Sequence, residues 1–207
     1  MKLFLASEGS DPKTTEKLEK YLGGFKGKSV VYIPTARNGE NPFGTWKESG
    51  TWNFLSKSGM DVFPIQLEDH KDYLDSKLFD NKDIIWFSGG ACGYLMYWIL
   101  RTSLDKYLPK ILKKSVYVGS SAGSMIASKT LNVAEWYIDE YERGAKHIPG
   151  LNLVDFDMYP HYNEDQYDEI KNEYGGKKLY LLKDGEAILV DGEKVELLGE
   201  ERLIVNE

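Results

Sequence analysis

Apolar residues in this chain gather in short runs: KLFLAS at 2–7, SVVYIP at 29–34, DVFPI at 61–65, DIIWFSGG at 83–90 and SVYVGS at 115–120. Between them lie stretches with helical periodicity, near 12–22, 45–58 and 93–113. Near-continuous apolar runs of strand length suit strands covered on both faces, so the alternation predicts an α/β fold with a mostly parallel sheet. From residue 131 the pattern changes. A mixed, partly acidic segment at 131–150 precedes LNLVDFDMYPHY and an acidic helix near 164–174. The alternating stretch KLYLLKDGEAILVDGEKVELLG then makes the C-terminal third strand-rich, with Asp-Gly steps at 184–185 and 191–192 predicting tight turns between strands.

Composition narrows the function classes. The 207 residues suit one domain, 1–207, with a substantial core, and 42% apolar and 29% charged residues are ordinary for a globular protein. A net charge of −7 without a basic tract makes nucleic acid an unexpected partner. No run approaches the length of a membrane span and MKLFLASEGSD lacks a signal-peptide core, so a cytoplasmic protein without a membrane partner is expected. One cysteine, Cys92, excludes an internal disulfide, and no Cys/His grouping has structural-zinc spacing, so no metal is expected. Cys92 reads as a small buried hydrophobe, with a reactive thiol as the alternative.

The chemistry concentrates in GSSAG at 119–123, where a strand-like run meets G-x-S-x-G and a helix-forming segment. A sharp strand-to-helix turn projects the central Ser121 from the sheet, and glycines on either side remove Cβ atoms that would crowd it. The N–H of Ala122, at the start of the following helix, is a candidate oxyanion donor. The glycine turn FSGGA at 87–91 offers a second, with Gly90 as first choice. The loop IPTARNGENPFGTW at 33–46 is a candidate wall of the same cleft.

A serine hydroxyl needs a base, and there are three histidines. His70 and His147 lie in polar segments and read as exposed, whereas His161 follows Pro160 at a strand terminus, where a rigid turn would aim the imidazole at the loop-bearing edge of the sheet. Acids that could orient it include Asp184 and Glu186 after the histidine, and Glu135, Asp139, Asp155 and Asp157 before it; spacing does not choose among them. Of the aromatic residues, Tyr94, Tyr97 and Trp98 read as core, while Trp136, Tyr137 and Tyr141 could line a pocket.

Taken together, IPTA at 33–36, FSGG, GSSAGSM, PHYN at 160–163 and LLKDGEAILVDG resemble the peptidase E family of serine peptidases, which includes aspartyl dipeptidase and is related to cyanophycinase. The resemblance implies a flavodoxin-like, class I glutaminase-like three-layer α/β fold and a triad in the chain order Ser-His-acid. It carries over to Ser121 as nucleophile, His161 as base, Gly90 and Ala122 as oxyanion donors, and Asp184 as acid; many relatives carry Glu at the Asp184 position, and because Asp is shorter by one methylene, Glu186 or a residue of the acidic loop is the alternative. Ala91 and Cys92 stand where relatives commonly have polar residues. The aspartyl dipeptidases carry an arginine shortly after the histidine, suited to a substrate carboxylate. Here the segment reads NEDQYDEIKNE, and Glu164 is the nearest equivalent. A carboxylate there would repel an acidic side chain and attract a cation, so strict Asp-X specificity is not expected.

The sequence thus points to a serine hydrolase of small peptides that needs no cofactor. Two other classes stay open: an esterase of α/β-hydrolase topology, whose acid would lie between Ser121 and His161, and a binding module that uses the same cleft without catalysis. Nothing in the sequence fixes the oligomeric state.

Overall fold

The computed structural model describes residues 1–40, 45–71, 73–138 and 140–206. Its main sheet has seven strands in the spatial order β3-β2-β4-β5-β1-β8-β9. Strands β1 (Lys2–Ala6), β2 (Ser29–Ile33), β3 (Asp61–Pro64), β4 (Ile84–Phe87) and β5 (Val116–Ser120) run parallel. Strands β8 (Ala187–Asp191) and β9 (Lys194–Leu198) extend the sheet antiparallel beyond β1. A second sheet has the order β10-β7-β6, from Leu203–Val205, Lys178–Leu181 and Asp157–Tyr159. This is a mixed α/β, flavodoxin-like architecture with a large, mostly parallel sheet.

Strand alternation divides the core into two layers. Leu3, Leu5, Val31, Ile33, Ile85 and Phe87 face one side, where they pack with α4 (Cys92–Arg101) and α5 (Leu104–Ile111). Phe4, Ala6, Val30, Tyr32, Ile84 and Trp86 face the other, against Leu18 of α1 (Pro12–Leu22) and Leu55 of α3 (Gly50–Leu55). Helix α1 has the bounds its sequence predicts because both ends are capped. Asp11 accepts from the N–H groups of Lys13 and Thr14, and Gly23 at φ 71° closes the C-terminus.

Three expectations about secondary structure are corrected. The helix predicted over 93–113 is two helices, broken where Ser103 takes a left-handed φ of 58°. The turn re-aims the chain so that Leu104 and Leu108 are buried after Leu95, Met96 and Ile99. The helix predicted over 45–58 is a single turn at Trp46–Glu48 followed by α3, because extended Ser49 interrupts it and its hydroxyl caps α3 through the Trp52 N–H. Only one Asp-Gly step makes a hairpin. Asp191-Gly192 joins β8 to β9, whereas Asp184-Gly185 lies where the chain leaves β7 in the small sheet and enters β8 in the large one.

The loop expected over 33–46 contains a short helix, α2 (Thr35–Asn38), and its residues 41–44 lie outside the described residues. Tyr97 is exposed rather than core, because α4 turns Cys92, Leu95, Met96 and Ile99 inward. No helix among the described residues is long and apolar enough to cross a membrane.

Candidate active site

Ser121 stands between β5 and the one-turn helix α6 (Ala122–Met125), with φ 47° and ψ −112°. A non-glycine residue there costs on the order of 1–3 kcal/mol, so the surroundings must enforce it. They do so through the backbone: its N–H donates to the carbonyls of Ala6 and Ser7, and its carbonyl accepts from Ser124 and Met125. Both motif glycines are required by contact. A Cβ on Gly119 would lie 2.5 Å from the Gly123 oxygen, and one on Gly123 would lie 2.3 Å from the Phe87 oxygen. Because α6 is only one turn long, and its Gly123, Ser124 and Met125 N–H groups donate to the carbonyls of Ser88 and Ser121, it offers the Ala122 N–H beside Ser121 rather than a long helix dipole.

His161 follows β6 and Asp184 follows β7, and these strands are parallel neighbours with Tyr159 opposite Leu181. Their ends therefore deliver both side chains to one place, where His161 Nδ1 lies 2.7 Å from Asp184 Oδ1. A carboxylate acceptor at Nδ1 calls for the proton there, leaving Nε2 as the basic nitrogen of the neutral ring. Burial opposes the imidazolium, but the hydrogen bond and charge of Asp184, helped by Glu8 and Glu140, outweigh it and hold the His161 pKa above its ordinary value. The His161 hydrogen bond, chiefly, lowers the pKa of Asp184. With side-chain exposures of 36% and 51%, the pair is partly screened by water, which limits its contribution to stability.

Ser121 and His161 line one cavity of about 550 Å³ at the carboxyl ends of the parallel strands, where open α/β sheets bind ligands. The glycine turn after β4 forms part of its wall. Gly90, at φ 130°, passes so close to α2 that a Cβ would lie 2.3 Å from the Ala36 oxygen. Glu8, Glu40, Glu48 and Glu140 contribute carboxylates to the lining, against the guanidinium of Arg37, which is ion-paired with Glu40. Tyr137 joins them and fixes the approach to His161 by donating its hydroxyl to the Pro160 carbonyl. Among the described residues, no group of three or more His, Cys, Asp or Glu is arranged to hold a metal ion.

The family model for peptidase family S51 matches residues 3–198. This chain belongs to peptidase family S51. The uncharacterized peptidase Lmo0363 of Listeria monocytogenes is 33% identical, over 93% of this chain and 96% of its own length. Peptidase E of Actinobacillus pleuropneumoniae serotype 3 is 22% identical, over 99% of this chain and 92% of its own. A crystal structure of a candidate peptidase E protein from Listeria monocytogenes EGD-e superposes with a TM-score of 0.76 at 28% identity, covering 95% of this chain and 96% of that one. A peptidase from an acI-B1 Actinobacterium shares the fold at a TM-score of 0.66 and 18% identity, covering 99% and 93%.

Within this S51 chain the other candidate residues go elsewhere. Glu186 binds Arg202 at 2.8 Å and accepts from the N–H groups of Lys183 and Glu200, away from the His161 ring. Glu135 pairs with Lys146, and Asp157 accepts from the Tyr174 hydroxyl. Asp155 borders a different cavity, and Asp139 lies outside the described residues. Glu164 is bound by Lys183 at 2.5 Å and is not part of the cavity lining, where Gln166 stands instead. His147 is exposed, and Cys92 is buried with its thiol pKa pushed up by burial and by Glu142, which suits the hydrophobe reading.

Ser7, which the sequence shows only as the last residue of a strand-like run, stands beside the candidate pair, and Glu8, Glu40, Glu48, Glu140 and Gln166 are further lining residues that the sequence pattern does not mark. Ser7 is fully buried, and its hydroxyl lies 2.8 Å from the His161 N–H nitrogen and 2.9 Å from Asp184 Oδ1. The available signal for Ser7 was a polar residue closing an otherwise apolar run.

Proposed function

We propose that this S51 chain is a serine peptidase that cleaves small peptides by way of an acyl-enzyme. The observation that carries the reading is that His161, bound by Asp184, lines the same cavity as the strained Ser121. Ser121 Oγ attacks the scissile carbonyl while His161 Nε2 takes its proton. Asp184 holds the Nδ1 tautomer and stabilises the imidazolium. The N–H groups of Gly90 and Ala122 receive the developing oxyanion. The imidazolium then protonates the leaving amine, and water, activated by the same histidine, releases the acyl group.

The esterase alternative needed an acid between Ser121 and His161 in the chain. Glu135 and Asp157 have other partners, and Asp184 lies after the histidine, which favours the peptidase reading.

Specificity follows from charge. Gln166 lines the cavity in the stretch where the aspartyl dipeptidases carry their arginine, and the one guanidinium in the lining among the described residues, Arg37, is paired with Glu40. An acidic substrate side chain would meet carboxylates there, so dipeptides with neutral or basic N-terminal residues are the preferred substrates in this reading.

Labelling with a fluorophosphonate, followed by peptide mapping, tests the nucleophile. Modification at Ser121, lost in Ser121→Ala, is the expected result. A protein that stays unlabelled, or is labelled equally in the variant, would count against it.

A further inference from the structure

Ser7 sits at the carboxyl end of β1, where the backbone of the nucleophile, the backbone of the histidine and the carboxylate of the acid converge. Its carbonyl accepts the Ser121 N–H at 2.9 Å. Its hydroxyl accepts the His161 N–H at 2.8 Å. The same hydroxyl lies 2.9 Å from Asp184 Oδ1 and 3.1 Å from the Leu182 carbonyl. Ser7 itself is tied to the strand entry that follows Asp184, donating its N–H to the Glu186 carbonyl at 3.1 Å.

We infer that Ser7 is a positioning residue that locks His161 and Asp184 into register with Ser121. This rests on the peptidase reading of the site, and it names a component that the triad alone does not contain.

The hydrogen-bond inventory supports it. A hydroxyl has one proton and can accept as well as donate. With the His161 N–H occupying its acceptor side, the proton goes to one of two oxygens. The Leu182 carbonyl already accepts from the Tyr162 N–H at 3.0 Å. The Asp184 carboxylate is anionic, and charge-assisted bonds are the stronger ones, so the proton goes to Asp184. Oδ1 then receives two donors, Ser7 Oγ–H and His161 Nδ1–H, which fix the carboxylate plane and with it the imidazole.

His161 also needs its backbone held, because it adopts a left-handed φ of 52°. The Ser7 hydroxyl binds the N–H of that strained residue. An alanine at position 7 would therefore free the His161 backbone and one face of Asp184 together, while leaving the fold's apolar contacts unchanged. Catalytic groups displaced by a fraction of an ångström lose rate rather than affinity.

The test compares wild type, Ser7→Ala and Ser7→Cys, which preserves shape with a weaker donor, by steady-state kinetics and by NMR titration of the His161 ring. Thermal unfolding checks that each variant folds. In Ser7→Ala, kcat should fall on the order of 10²-fold with KM little changed. The His161 titration should move down toward the ordinary imidazole value, and Ser7→Cys should recover part of both. Folded Ser7→Ala with unchanged kcat and an unchanged His161 titration would overturn the inference, as would a lower melting temperature as the sole effect. Because the ring titration needs no substrate, it still decides the role of Ser7 if the protein cleaves none of the peptides offered, an outcome that would count against the peptidase reading instead.

Discussion

Asp184 accepts from the ring of His161 at 2.7 Å, and the two residues reach each other because parallel strands β6 and β7 end side by side. In the proposed mechanism this contact sets both the tautomer of the base and the pH at which it works.

The base acts only when neutral, and Asp184 raises the pKa of His161. The acid limb of kcat/KM against pH should therefore have its midpoint above about 6.5, the ordinary imidazole value. Asp184→Asn should move that limb to lower pH and cut kcat on the order of 10³-fold or more, since the amide favours the wrong tautomer. A limb that stays in place in the variant would exclude the proposed role.

The same pair carries a stability signature. A raised folded pKa for His161 means its contribution is fully present below the unfolded histidine value and fades as pH rises through the folded one. The lowered Asp184 pKa means its contribution is present above the unfolded carboxylate value and fades as pH falls through the folded one. Melting temperatures of wild type and Asp184→Asn should thus differ more near about pH 5.5 than near about pH 9. An equal gap at both would contradict the assignment.

Gly123 has no room for a side chain, with a Cβ falling 2.3 Å from the Phe87 oxygen. Gly123→Ala should cost about 1–3 kcal/mol and displace Ser121. Gly175→Ala, where a Cβ meets nothing within 4 Å, is the control and should shift stability by less than about 0.5 kcal/mol. Denaturant titration of the two variants checks the contrast.

Substrate ranking should respond to Glu8, which lines the cavity, and not to Glu164, which is held by Lys183 outside the lining. Glu8→Gln is expected to reduce the preference for a Lys-X over an Asp-X dipeptide by about tenfold in kcat/KM, the effect of one nearby charge. Glu164→Gln should leave the ratio unchanged; the reverse pattern would restore Glu164 as the selecting residue.

What was legible in the sequence was local. Strand runs such as SVVYIP, the capped helix at 12–22 and the GSSAG turn each carry their own cause in neighbouring residues. The break at Ser103 was hidden because its reason is the burial of Leu104 and Leu108 against a core assembled from distant strands. Asp184-Gly185 looked like any hairpin turn, and only the change of sheet gives it its role in bringing Asp184 to His161. Ser7 was hidden for the same reason: a small polar residue ending a strand is unremarkable until residues 161 and 184 arrive beside it. Glu164 lies beside the cavity rather than on its lining, because Asn163 and Gln166 form a capping box whose turn leaves Gln166 there.

In the proposed mechanism Ser121 is the residue that performs peptide hydrolysis. The most direct test is cleavage of a dipeptide panel with acidic, neutral and basic N-terminal residues by wild type and Ser121→Ala side by side. Wild type should cleave members of the panel, with neutral or basic residues preferred, and kcat should fall on the order of 10³-fold or more in the variant. Cleavage that survives in Ser121→Ala, or a wild type that cleaves no member of the panel, would contradict that role.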